Sequence, residues 1–137
     1  MSVLSHSKID MEIHLVNLAG PLNENQFEEV TRIFKDIAEQ GIKRVVVSLA
    51  EVPLIDSRGL AALIAGYKFF GSEPKNFRLA ALQDQPRLVF ELTGFDNIFQ
   101  IFDTVAAAAK LEPYLELEFS QNILGAVPQS AALDLPV

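Results

Sequence analysis

Val45-Val46-Val47-Ser48-Leu49, followed by Val52-Pro53-Leu54-Ile55-Asp56-Ser57-Arg58-Gly59-Leu60, is the stretch whose reading decides the fold of this chain. The first run is short, β-branched and apolar on both faces, the pattern of a strand buried between layers of helices and central in its sheet. After Pro53, Leu54-Ile55 reads as strand and Asp56 to Gly59 as a tight turn. Leu60, Leu63, Ile64 and Tyr67 then recur at helical spacing up to Gly71, which predicts a helix over Ser57 to Phe70. Ser57 is expected to lie exposed at the start of that helix, at the end of a loop leaving a central strand.

Upstream, Met11 to Ala19 alternates loosely, with Ile13 and Leu15 on one face and His14, Val16 and Leu18 on the other, and ends at Gly20-Pro21: a strand running into a turn. Asn23 with Gln26 three residues later forms a variant capping box, and Phe27, Val30, Phe34 and Ile37 continue as an amphipathic helix to Gly41. Downstream, Phe77 to Leu82 reads as a strand, with Phe77, Leu79 and Ala81 alternating against Arg78 and Ala80. Asp84 and Pro86 open a short helix with Leu88 and Leu92 on its inner face, closed by Thr93-Gly94. Phe95 to Phe102 suggests a last short strand, and Asp103-Thr104 starts an Ala-rich helix that Pro113 limits. Strands alternating with helices imply an α/β fold, a mixed, mostly parallel sheet covered by helices. No internal repeat is present.

The 137 residues, half of them apolar, suit one domain with a single core, and the ten Phe fall in short blocks that read as core. Eleven basic against eighteen acidic residues leave a formal charge of -7, which argues against nucleic acid and anionic membrane as partners. The absence of cysteine excludes thiolate chemistry, disulfides and cysteine metal sites, and fits a reducing compartment. Met1 to Asp10 lacks the apolar run of a signal peptide and no segment is long enough to span a bilayer, so the expected location is cytoplasmic, without direct membrane insertion.

Catalysis finds little support. Ser57 on a strand-to-helix turn with Gly59 two residues later is half of a nucleophile elbow, but Ile55 stands where the first glycine is needed and both histidines, His6 and His14, precede the serine. Those histidines lie too far apart for a metal site, no glycine-rich run precedes a Lys-Ser or Lys-Thr pair, and Glu28-Glu29 reads as solvated helix surface. The expectation is a non-enzymatic chain without cofactor. What remains is the turn itself. Asp56 or Ser57 caps the helix amides, and those amides would also tolerate a phosphate on the serine.

These residues, with Tyr67-Lys68, Arg87-Leu88 and Leu92-Thr93-Gly94-Phe95, resemble the STAS domain family, in particular bacterial anti-sigma factor antagonists, over about residues 11–110. The resemblance implies a mixed sheet flanked by helices with the Asp-Ser-x-Gly-Leu turn exposed at one edge. It further implies a domain that binds an anti-sigma factor that is also a serine kinase, thereby freeing a sigma factor, and that is released by phosphorylation; a serine phosphatase is a further implied partner. Carried to this chain, Ser57 is the phosphoacceptor, with Asp56 beside it, Gly59 letting the partner approach, and Asn23, Arg58 and Leu60 completing the regulatory turn. Two positions depart from the family: Arg58 replaces a small hydroxyl residue and Asn23 replaces an aspartate. The alternative is a STAS scaffold, or a subunit of a transport assembly, not regulated by phosphorylation.

Residues 1–118 are read as the STAS domain and 119–137 as a C-terminal apolar extension. Phe119, Ile123, Leu124, Val127, Leu133, Leu135 and Val137 are too apolar for a typical disordered end, and Gly125, Pro128 and Pro136 prevent one long helix. The extension is expected to pack on the domain or on a second copy of it, as a homodimer; a frayed terminus is the alternative.

Overall fold

β-Branched and apolar residues at Arg44–Glu51 form the middle strand of a five-stranded sheet in a computed structural model that describes residues 2–8 and 13–110. The strands are β1 (Ser2–Lys8), β2 (Ile13–Ala19), β3 (Arg44–Glu51), β4 (Phe77–Ala80) and β5 (Ile101–Phe102), and they lie side by side in that order. β1 runs antiparallel to β2, while β2, β3, β4 and β5 are parallel. The parallel connections are made by α1 (Phe27–Glu39), α2 (Ser57–Phe69) and α3 (Asp84–Thr93), and α4 (Val105–Ala108) follows β5. The expected mixed, mostly parallel sheet with helical cover is the fold observed.

Period-two alternation along the strands divides the core into two. Val45, Val47 and Leu49 of β3 join Val16 and Leu18 of β2 and Phe77 and Leu79 of β4 beneath Val30, Phe34 and Ile37 of α1, Leu60 and Leu63 of α2, and Phe90 of α3. Phe77 is the hub, with ring centroids 5.1 Å from Phe34, 6.0 Å from Phe70 and 6.0 Å from Phe99. On the opposite face Ile13, Val46 and Ala80 pack with Ala108 of α4.

Four local expectations change. β1 was not anticipated, because the polar Ser-His-Ser-Lys content of this segment carries little strand signal and the pairing with β2 creates the element. The strand expected over Phe77 to Leu82 stops at Ala80, with Ala81 in the left-handed region (φ 62°), and Arg78 within it is 2% exposed and donates to the carbonyls of Lys75 (2.9 Å), Ala108 (2.8 Å) and Lys110 (2.7 Å), which fastens α4 to β4. In α3 the inner face is made by Pro86 and Phe90, whereas Leu88 and Leu92 are 51% and 77% exposed. Phe95–Asn97 is a short helical turn, so the last strand is confined to Ile101–Phe102 and Phe99 turns inward to stack on Phe90 at 5.5 Å. Gly94 closes α3 in the left-handed conformation (φ 80°), as Thr93-Gly94 suggested. The helix end expected at Pro113, the domain limit at residue 118 and the apolar extension 119–137 lie outside the described residues.

Candidate functional site

The C-terminal ends of β2 and β3 lead into two loops that are stitched together. Gly20 N–H donates to the Glu51 carbonyl (2.8 Å), Leu22 N–H to the Leu54 carbonyl (2.9 Å) and Asp56 N–H to the Leu22 carbonyl (3.2 Å). Leu54-Ile55 is therefore not a strand of the sheet; Ile55 forms only a single parallel bridge with Leu22. Gln85, in the first turn of α3, completes the loop: its Oε1 accepts from Ile55 N–H (2.9 Å) and its Nε2 donates to the Ile55 carbonyl (3.1 Å). The loop ahead of Ser57 is thus fixed by backbone bonds on one side and a two-point amide contact on the other.

Asp56 is the cap of α2. Its backbone is extended, its Oδ1 accepts from Gly59 N–H at 2.8 Å, and its carbonyl accepts from Leu60 N–H at 2.9 Å. Ser57 follows as the first helical residue, exposed as expected, and among the described residues its hydroxyl makes no hydrogen bond. α2 ends at Phe69, one residue earlier than the periodicity suggested.

Gly59 and Leu60 are buried. The space left by the missing side chain of Gly59 is filled from inside the molecule, because a Cβ there would overlap the Leu22 carbonyl and lie 2.9 Å from Ile55 Cγ1. Gly59 therefore seats the helix against the Leu22 turn, a role different from the open approach that the resemblance implied. Arg58 is exposed, and its guanidinium carbon lies 3.9 Å above the ring centroid of Phe27, the first residue of α1. Asn23 forms the expected capping box: its Oδ1 accepts from Asn25 N–H (2.9 Å) and its own N–H donates to Gln26 Oε1 (3.3 Å).

Asn23 and Asp56, far apart in sequence, border the same shallow groove of about 300 Å³ with Pro21, Leu54 and Gln85. Leu54, 53% exposed, gives it an apolar lip. Leu88 and Leu92 lie three and seven residues after Gln85 and so share its side of α3, which extends an apolar stripe away from the groove. Sequence reasoning missed Phe27, Gln85 and this stripe as parts of the site. The leucines had a signal, an apolar pair at helical spacing, but it was assigned to the core; Phe27 and Gln85 had none, since their partners lie about thirty residues away.

Neither histidine stands near Ser57. His14 pairs with Val45 at the start of β3, about 20 Å along the sheet from the end that leads to Ser57, and His6 lies on β1 at the sheet edge. Among the described residues no three His, Cys, Asp or Glu side chains group as a metal site, and no helix is long and apolar enough to cross a membrane. The turn brings together an exposed hydroxyl at a helix N-terminus, a cation on an aromatic ring to one side, and an apolar groove to the other.

Residues 7–108 match the model of the STAS domain. The BtrV protein of Bordetella bronchiseptica, named provisionally as an anti-sigma factor antagonist, is 29% identical over 106 residues, 77% of this chain and 90% of that protein. The phosphorylated form of the Bacillus cell fate determinant SpoIIAA is similar in structure, with a TM-score of 0.60 at 16% identity, covering 76% of this chain and 94% of that one. A sulfate transporter family protein from Wolinella succinogenes has a TM-score of 0.62 at 19% identity, with 74% and 85% covered.

Proposed function

This chain belongs to the STAS domain family, and from that membership we propose that it is a phosphorylation-switched antagonist of an anti-sigma factor that is also a serine kinase. In the unmodified state the partner docks across the groove and the leucine stripe of α3, freeing its sigma factor. The kinase then moves the γ-phosphoryl group of ATP to Ser57 Oγ; the hydroxyl proton is lost, ADP departs, and the new charge of about -1.5 to -2 opposes the interface. A serine phosphatase restores the hydroxyl.

The observation that carries this reading is Ser57 itself, exposed, with its hydroxyl unengaged among the described residues and positioned by Asp56 beside an apolar groove. Helix N-terminal amides tolerate the added anion, so modification need not unfold the site.

The likeness to a transporter-family protein favours a second reading, a STAS scaffold within a transport assembly. Affinity capture with wild type and Ser57→Asp from the native cell, with mass spectrometry of partners and phosphosites, separates the two. The switch requires a kinase-type partner that is lost from Ser57→Asp and a phosphate on Ser57. A permease recovered equally with both forms, with Ser57 unmodified, would replace it with the scaffold.

A further inference from the structure

The residue after the acceptor is a long cation, and it is already in use. Arg58 stacks on Phe27, whose ring is half-buried against the core and therefore gives a fixed plate. Glu24 and Glu28 border the same hollow of about 200 Å³, yet among the described residues the guanidinium has no salt bridge, which leaves its five donors to solvent. Asp56, the nearest carboxylate in sequence, is committed to Gly59 N–H. Ser57 and Arg58 are consecutive in the first turn of α2 and project from different sides of the helix, so a group on the serine meets the guanidinium only if the long, flexible arginine stem swings off the ring.

We propose that Arg58 is the internal receiver of a phosphate on Ser57: on modification its guanidinium leaves Phe27, pairs with the phosphate oxygens, and bares the ring between Glu24 and Glu28. This latch rests on the proposed role of Ser57 and deepens it. The direction of the exchange follows from the two interactions. Cation–π attraction is at its weakest at an exposed site, whereas a phosphate offers three acceptors that match the planar guanidinium fork. The switch then changes two features together. The unmodified edge shows a cation on an aromatic plate, and the modified edge shows a phosphate–arginine pair beside an uncovered ring flanked by acids. A partner that reads Arg58 on Phe27 then meets a neutralised cation and a bare ring at once.

The test uses the full chain with phosphoserine inserted at position 57 during translation, beside unmodified protein and the variants Arg58→Ser and Phe27→Leu. The readouts are the ring signals of Phe27 and the 31P titration of the phosphate. Phosphorylation should move the Phe27 ring signals toward those of unmodified Arg58→Ser. The second ionisation of the phosphate should lie roughly half a pH unit or more lower in wild type than in Arg58→Ser. Phe27→Leu keeps the cation and removes its competitor, so its phosphate should ionise at or below the wild-type pH. Equal ionisation with and without Arg58, or ring signals indifferent to phosphorylation, would overturn the latch. Because the phosphate is installed, absence of phosphate from Ser57 in native cells would overturn the proposed switch alone.

Discussion

Gly59 of α2 faces the backbone carbonyl of Leu22 across the junction of the β2–α1 and β3–α2 loops, and no side chain fits between them. The contact is backbone against backbone, so a methyl group can be relieved only by moving the helix or the turn. Gly59→Ala is therefore expected to cost about 2–3 kcal/mol in urea unfolding, at the upper end for an overpacked site. A variant as stable as wild type would show that the helix can shift away from Leu22.

Asp56 and Ser57 are neighbours with separable roles. Asp56→Ala removes the acceptor for Gly59 N–H and should cost about 1 kcal/mol, whereas Ser57→Ala should stay within about 0.5 kcal/mol. Ser57→Ala should nevertheless abolish phosphate incorporation by the native kinase. Residual incorporation would place the acceptor elsewhere.

Gln85 acts at a distance from Ser57. Gln85→Ala cuts both bonds to Ile55, and a loss of about 1–2 kcal/mol is expected, with faster hydrogen exchange at Ile55 and little change in the core strands. Uniformly faster exchange would mean that the contact supports the whole domain.

The exposed pair Leu88 and Leu92 tests the docking face. Leu88→Gln with Leu92→Gln should leave stability within about 0.5 kcal/mol per site and weaken capture of the native partner at least about tenfold. Unchanged capture would move the interface off α3.

Arg78 has a structural task. Arg78→Met keeps volume but leaves the carbonyls of Lys75, Ala108 and Lys110 without this donor, so a loss of about 3 kcal/mol is expected, read by thermal unfolding together with faster exchange in α4. Retained stability would mean that those carbonyls find other donors.

The sequence by itself determined the strands β2, β3 and β4, the central place of β3, the intervening helices and the turn that carries Ser57, while their order in the sheet came from the structure. Those features are written in local signals: β-branched runs at Val45–Leu49, helical spacing from Leu60 to Tyr67, and caps at Asn23, Asp56 and Gly94, each of which acts within a few residues. The same locality made Leu88 and Leu92 look like core, because periodicity identifies an apolar face without saying what lies opposite; Pro86 and Phe90 face the sheet instead. Only the tertiary structure decided which long-range pairs form. β1 exists by pairing with β2, Arg78 is buried because α4 ends in carbonyls above it, Gly59 is required by Leu22, and Arg58 rests on Phe27 because α1 and α2 begin side by side. The last three contacts join residues thirty or more positions apart, and the chain must fold before either partner has anything to meet.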